Sequence, residues 1–268
     1  ALSSDNIIIA SALGAGSVTP YSFTSKLPIM FSVVIASKLP NAIFPAITEM
    51  FANNEMDKLS EIYKRITFFS VRIALVGGAL IFIINPTFVK LWVGQENYGG
   101  YFLNFVFVLW AIFDTIYRGT TAIVYASGDL KKWTVASFIE AIFNIIISLT
   151  LIGPFGLVGV ALGTLLSKML TTGFYIPYWV CRKLDIKPIE LIKKSIIPPI
   201  IRSIPSIGLT FLSAYYLSLN NDWLWLIIIG LTLLTTNFLV FEGLALIKSS
   251  KQDWRVRLKK LILMQEEY

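Results

Sequence analysis

Residues 109–128 read LWAIFDTIYRGTTAIVYASG. Apolar side chains fill most of the run, yet Asp114 and Arg118 stand in its middle, four residues apart. On a helix that spacing puts the acid and the base on one face, one turn from each other. Extended to 101–127, the segment is long enough to cross a bilayer, whose hydrocarbon core of about 30 Å takes about 20 helical residues.

Blocks of the same character lie on both sides. Spanning segments are expected over 17–50, 66–92, 132–153, 155–181, 195–218 and 222–247. Residues 1–13 read as the outer half of one more helix, and Gly14-Ala15-Gly16 as a tight turn after it. Of the 268 residues, 56% are hydrophobic and only 15% charged, where a soluble domain carries about 25% charged. The blocks are too continuous for barrel strands, which alternate over about ten residues. The expected fold is an all-α integral membrane protein, a polytopic helical bundle. Pro28, Pro40 and Pro45 should bend the helix over 17–50. A spanning helix tolerates proline when a neighbouring helix satisfies the carbonyl that its ring frees.

Composition also excludes chemistry. Cys181 is the single cysteine, so no intrachain disulfide forms, and there is no histidine for acid–base catalysis. No thiol or carboxylate cluster suggests zinc, and no metal or other cofactor is expected. The connections 51–65, 128–132 and 181–194, with the tail from 248, hold 16 lysines and arginines; the alternate connections hold none. Loop lysines and arginines stay in the cytoplasm, so the C-terminus is expected there. The net charge of +7 is thus a topology signal and not a nucleic-acid footprint. Trp92, Tyr98, Tyr101 and Trp223 mark one interface, and Trp133, Tyr178 and Trp179 the other. The tail, KQDWRVRLKKLILM, reads either as an amphipathic helix on the inner leaflet or as a solvated stop signal.

The intramembrane charges are the candidate functional residues, since a charge at mid-bilayer costs roughly 2.5–3.5 kcal/mol on insertion scales. Counting outward from the turns suggests depth-matched partners. Asp5 and Lys26 lie at similar distances from the turn near Ala15, and Glu140 and Lys168 at equal distances from Pro154. Asp114 and Arg118 make the third pair. Lys38 has no acid at its depth. Two readings stand: static ion pairs that hold the bundle, with Glu140 and Lys168 the first candidates, or the wall of a polar substrate cavity, with Asp5, Lys26, Lys38, Asp114 and Arg118. Gly159 and Gly163 in GLVGVALG allow close helix approach.

Four stretches together resemble the multidrug/oligosaccharidyl-lipid/polysaccharide exporter superfamily, in its polysaccharide (O-antigen unit) flippase branch. They are SSDNIIIASALGAGSVTPYSFTSKL, PNAIFPAITEMFANNEMDKLSEIYKRITFFSVRIAL, FVKLWVGQENY and ASGDLKKWTVASFIEAIFNIIISLTLIGPFGLVGVALGTLLSKML. The resemblance implies two six-helix lobes around a central cavity, followed by two extra helices. Residues 1–181 would be the second lobe, with its first helix truncated and the first lobe of the same chain missing. Residues 182–247 would be the extra helices and 248–268 a basic cytoplasmic tail. It also implies alternating-access export of undecaprenyl-diphosphate-linked oligosaccharide from the inner to the outer leaflet of a bacterial inner membrane, with a proton or sodium ion as a possible coupling partner. A cation-coupled multidrug antiporter is the alternative within the same fold. A membrane-bound glycan enzyme fits less well, because the loops opposite the basic side are eight residues or fewer and lack Lys, Arg and His.

Overall fold

The computed structural model describes residues 2–216 and 222–236, residue 233 excepted. Among these residues every regular element is a helix. The first is α1 (Leu2–Leu13). A tight turn at Gly14, whose φ is 90°, leads to α2 (Val18–Met30), and α3 (Lys38–Ala52) follows. Between these two the chain widens into π turns over Phe31–Ala36. The segment expected as one bent helix is thus continuous from one side of the bundle to the other, with its irregularity just after Pro28.

Two long helices form the centre, α4 (Met56–Val93) and α5 (Tyr101–Ala126), packed along their length. α4 begins ten residues before the expected start at 66 and includes most of the basic connection. α6 (Lys131–Leu170) contains non-helical backbone at Gly156, with φ 55° and ψ −133°. The chain reverses there, since Asn144 meets Thr164 and Ser148 meets Val160 across the break. The expected hairpin near Pro154 is therefore present, with Gly156 as the turn residue because its φ lies in the region that favours glycine. A side chain at Gly159 would collide with the Leu151 carbonyl, and one at Gly163 with Ser148. The small pair lets the two arms of α6 touch. After α6 come α7 (Thr172–Lys183), the short α8 (Pro188–Leu191), π turns over Ile192–Ile196 and α9 (Ile197–Tyr216), which lies against α4.

Among the described residues, four helical stretches are long and apolar enough to cross a membrane: Ala15–Ala52, Met56–Val93, Tyr101–Ala126 and Lys131–Lys183, the last folded back at Gly156. A shorter apolar helix follows at Trp223–Thr236. The rest of the span expected to 247 and the tail 248–268 lie outside the described residues.

Among the described residues, most buried apolar side chains gather in two layers. One, at the end of the bundle with the basic connections, gathers Ile47, Tyr63, Ile123, Ile176 and Trp179. The other gathers Ile9, Tyr21, Leu103, Phe107 and Val160. α5 runs through both, with Ala111 in one layer and Tyr117 in the other. Asp114 falls between them.

Two of the carbonyls that prolines free have identifiable partners. Pro28 cannot donate to the Thr24 carbonyl and Pro86 cannot donate to that of Phe82. Asn85 Nδ2 donates to the first at 2.8 Å, and Asn104 Nδ2 to the second at 3.1 Å. Asn85 Nδ2 also lies 2.7 Å from Asn104 Oδ1, which links α2, α4 and α5. No sequence motif singles out these two asparagines. A signal existed in retrospect: each is a lone amide in an apolar span, and two neighbouring spans carry a proline.

Candidate functional site

Among the described residues, two clusters built on a buried carboxylate sit inside the bundle. The first is centred on Asp114, which is buried on α5. Arg118 Nη2 lies 2.6 Å from its Oδ2, one turn along the same helix. Lys168 Nζ reaches Oδ1 at 2.9 Å from the second arm of α6. Ser32, in the π turns, donates its hydroxyl to Oδ2 at 2.5 Å and accepts from Arg118 Nε at 3.1 Å. Lys168 also stands 5.0 Å above the ring of Tyr117. One carboxylate thus binds two cations and a hydroxyl from three elements, and both its oxygens are used. A buried pair needs such extra bonds to offset the loss of hydration.

The expected pairing of Glu140 with Lys168 is not the one present. Glu140, on the first arm of α6, accepts a hydrogen bond from Thr172 Oγ1 of α7. Lys168, on the second arm, faces α5. The two residues share a depth but point to different neighbours. Depth follows from counting residues; the direction around the helix axis does not.

The second cluster is centred on Asp5 of α1, which is 0% exposed. Tyr21 donates its hydroxyl to Oδ2 at 2.9 Å, and Thr164 donates to the same oxygen at 2.8 Å. Asn144 Nδ2 donates to the Thr164 hydroxyl at 2.8 Å, and Ser148 lies one turn further along α6. The depth-matched Lys26 does not take part. It is exposed on α2, whereas Asp5 turns inward to the α6 hairpin. Asp5 Oδ1 and Asn144 Oδ1 are buried acceptors without a hydrogen-bond partner. A buried carboxylate with no cation beside it is unfavourable unless it is protonated or binds an ion. Carboxylate, amide and hydroxyl oxygens are the donor set of a hard cation. The cluster therefore has the chemistry to hold a proton or an alkali ion. Among the described residues, no group of three or more acidic or thiol side chains is placed to hold a metal.

Lys26 and Lys38 are both exposed. Among the described residues neither makes an ion pair or a side-chain hydrogen bond. Arg118 turns its free edge to a pocket of about 290 Å³ between α3 and α5, lined also by Ser37, Asn41 and Tyr125. Asp114, Arg118 and Lys168 are thus one group, Asp5 belongs to another, Glu140 lies apart and bonds to Thr172 of α7, and Lys26 and Lys38 stand on the surface. Sequence reasoning missed Ser32, Tyr21, Asn144 and Thr164. None is charged, and only the packing of α1, α2 and α6 brings the last three to Asp5.

Comparison with curated proteins and with solved structures gives no match. The family model described as Lipid II flippase MurJ matches residues 5–233. That stretch takes in all the long apolar helices, the α6 hairpin and both buried aspartates. The chain belongs to the Lipid II flippase MurJ family, a family of multi-pass membrane transporters and not of enzymes.

Proposed function

We propose that this chain moves a lipid-linked oligosaccharide across the membrane and that its cargo is the peptidoglycan precursor lipid II. The observation that carries the reading is the family match over residues 5–233. The sequence resembles the O-antigen unit branch, but the matching model is that of lipid II flippases, so the O-unit is the less supported cargo. Lys26, Lys38 and the free edge of Arg118 are the groups proposed to attract the diphosphate of the cargo: the two lysines are exposed and have no acid to spend their field on, and Arg118 borders the pocket between α3 and α5. The exposed face that carries Lys26 and Lys38 is proposed to form one wall of a cavity, with a second lobe as the other wall. The basic connections are proposed to be cytoplasmic, and the C-terminus with them.

Asp5 is the proposed site of the coupling ion, with Asn144 and Thr164 beside it. Its burial, its lack of a basic side-chain partner among the described residues and the two unused acceptors support this placement. Ion binding there would tie α1 to the α6 hairpin, and release would loosen that contact, which is the kind of two-state element that alternating access requires.

Depletion of the full-length protein in its host tests the cargo. Lipid II should accumulate on the inner leaflet while surface O-polysaccharide and dye efflux stay normal. Lost O-polysaccharide with normal lipid II export would assign the O-unit instead. Lost dye efflux alone would assign a drug antiporter.

A further inference from the structure

We propose that the basic side of the α6–α7 contact is a binding site for one anionic phospholipid, distinct from the cargo cavity. The site has two joined parts. The polar part is a pocket of about 450 Å³ bordered by Lys132, Arg182, Lys183 and Asp129, with Tyr178 and Trp179. The apolar part is a groove of about 580 Å³ along the first arm of α6, bordered by Val135, Ile139, Phe143 and Leu170. Lys132 and Tyr175 border both, so the two are continuous.

Charge supports this occupant. Lys132 Nζ stands 5.2 Å from the Trp179 ring centre and Lys183 Nζ 5.0 Å from the same ring. Two cations held at one indole repel each other, and the cation–π contacts offset that only in part. Among the described residues neither lysine, nor Arg182, has a carboxylate within ion-pair distance. Asp129 alone cannot neutralise three cations. A phosphodiester headgroup adds a second negative charge beside that of Asp129, and aromatic side chains such as Tyr175 and Tyr178 favour that depth.

The groove supplies the second half of the match. Val135, Ile139, Phe143 and Leu170 are all more than a third exposed, and they lead from the headgroup pocket into the span. Acyl chains attached to the phosphate would cover them. A soluble phosphate would satisfy the cations and leave this groove unused. Basic pockets between spanning helices on the positively charged side are recognised lipid headgroup sites. The inference does not depend on the direction of transport or on the cargo.

The test uses the full-length protein in detergent and counts bound lipid by native mass spectrometry. Phosphatidylglycerol should bind well above phosphatidylcholine with the same acyl chains. The double variant Lys132→Gln, Lys183→Gln should lower phosphatidylglycerol affinity roughly 30-fold, from about fivefold for each lysine near a membrane surface. The pair Lys132→Arg, Lys183→Arg should bind as the natural protein does, which separates charge from misfolding. Unchanged affinity in the glutamine variant would overturn the site. Displacement of the lipid by millimolar inorganic phosphate would overturn the lipid assignment in favour of a simple anion.

Discussion

Lys168 Nζ lies 2.9 Å from Asp114 Oδ1, across the contact between α6 and α5. This distance places the lysine in a cluster on another helix and not with Glu140, the acid at its own depth on the same hairpin. It also gives the acid–base pair inside LWAIFDTIYRGTTAIVYASG a third member that no local pattern announces.

Removing the shared carboxylate should therefore be costly. Asp114→Ala strands Arg118 and Lys168 together, and breaking a buried pair costs about 3–5 kcal/mol. Glu140→Gln keeps an acceptor for Thr172 and should cost about 1 kcal/mol or less. Thermal unfolding of the purified full-length variants, or their abundance in the membrane, compares the two. Equal losses would show that Glu140 matters as much as Asp114.

The proline-freed carbonyls predict a rescue. Asn85→Ala leaves the Thr24 carbonyl buried and unpaired, at a cost of about 1–3 kcal/mol. In the double variant Asn85→Ala, Pro28→Ala, residue 28 regains an N–H, and the helix can satisfy Thr24 itself. Part of the lost stability should return. A Pro28→Ala change that gives no recovery in the Asn85→Ala background would argue against the Thr24 contact as the cause.

Asp5 predicts an ion-dependent stability. A bound ion stabilises the folded state by about 2.7 kcal/mol at a hundred times its dissociation constant. The unfolding temperature should rise when choline is replaced by sodium, and the rise should vanish in Asp5→Asn and shrink in Thr164→Val. A shift with pH and none with sodium would assign a proton. No dependence on either would remove Asp5 from the coupling proposal.

On the basic side, Glu190 of α8 accepts from Lys64 of α4 at 3.0 Å and from Lys194 at 2.8 Å. The Lys194 and Lys64 ammonium groups hold its pKa down at about 2, from an ordinary 4.5, and Glu190 in turn raises that of Lys194. A depressed carboxylate pKa gives stability that is present above 4.5 and lost as pH falls toward 2. Hydrogen exchange in residues 184–191 should rise over that window, and high salt should produce a similar rise because the pair is near the surface. Glu190→Gln should abolish the pH dependence of this segment.

Transport should be sensitive to the surface cations and stability should not. Lys26→Ala and Lys38→Ala remove exposed charges, so abundance should stay within the small range expected of surface changes, about 0.5 kcal/mol. Cargo export should fall in both. Normal export in both variants would take these lysines out of the cargo path.

Several features follow from the sequence alone because they depend only on position along the chain. Length and hydropathy mark the apolar spans, since a bilayer demands about 20 helical residues wherever the chain crosses it. The turn near Pro154, the close contact at Gly159 and Gly163, and the shared face of Asp114 and Arg118 are local, and short-range geometry decides them. The remaining contacts depend on which helices are neighbours and on how each is rotated about its axis. Residue counting measures height and is blind to rotation. For that reason Lys168 is found on Asp114, Glu140 on Thr172, and Asp5 among Tyr21, Thr164 and Asn144. The same rotation brings Asn85 and Asn104 to carbonyls that prolines leave free. In the core of a bilayer no water satisfies those two carbonyls, so packing between helices supplies their partners.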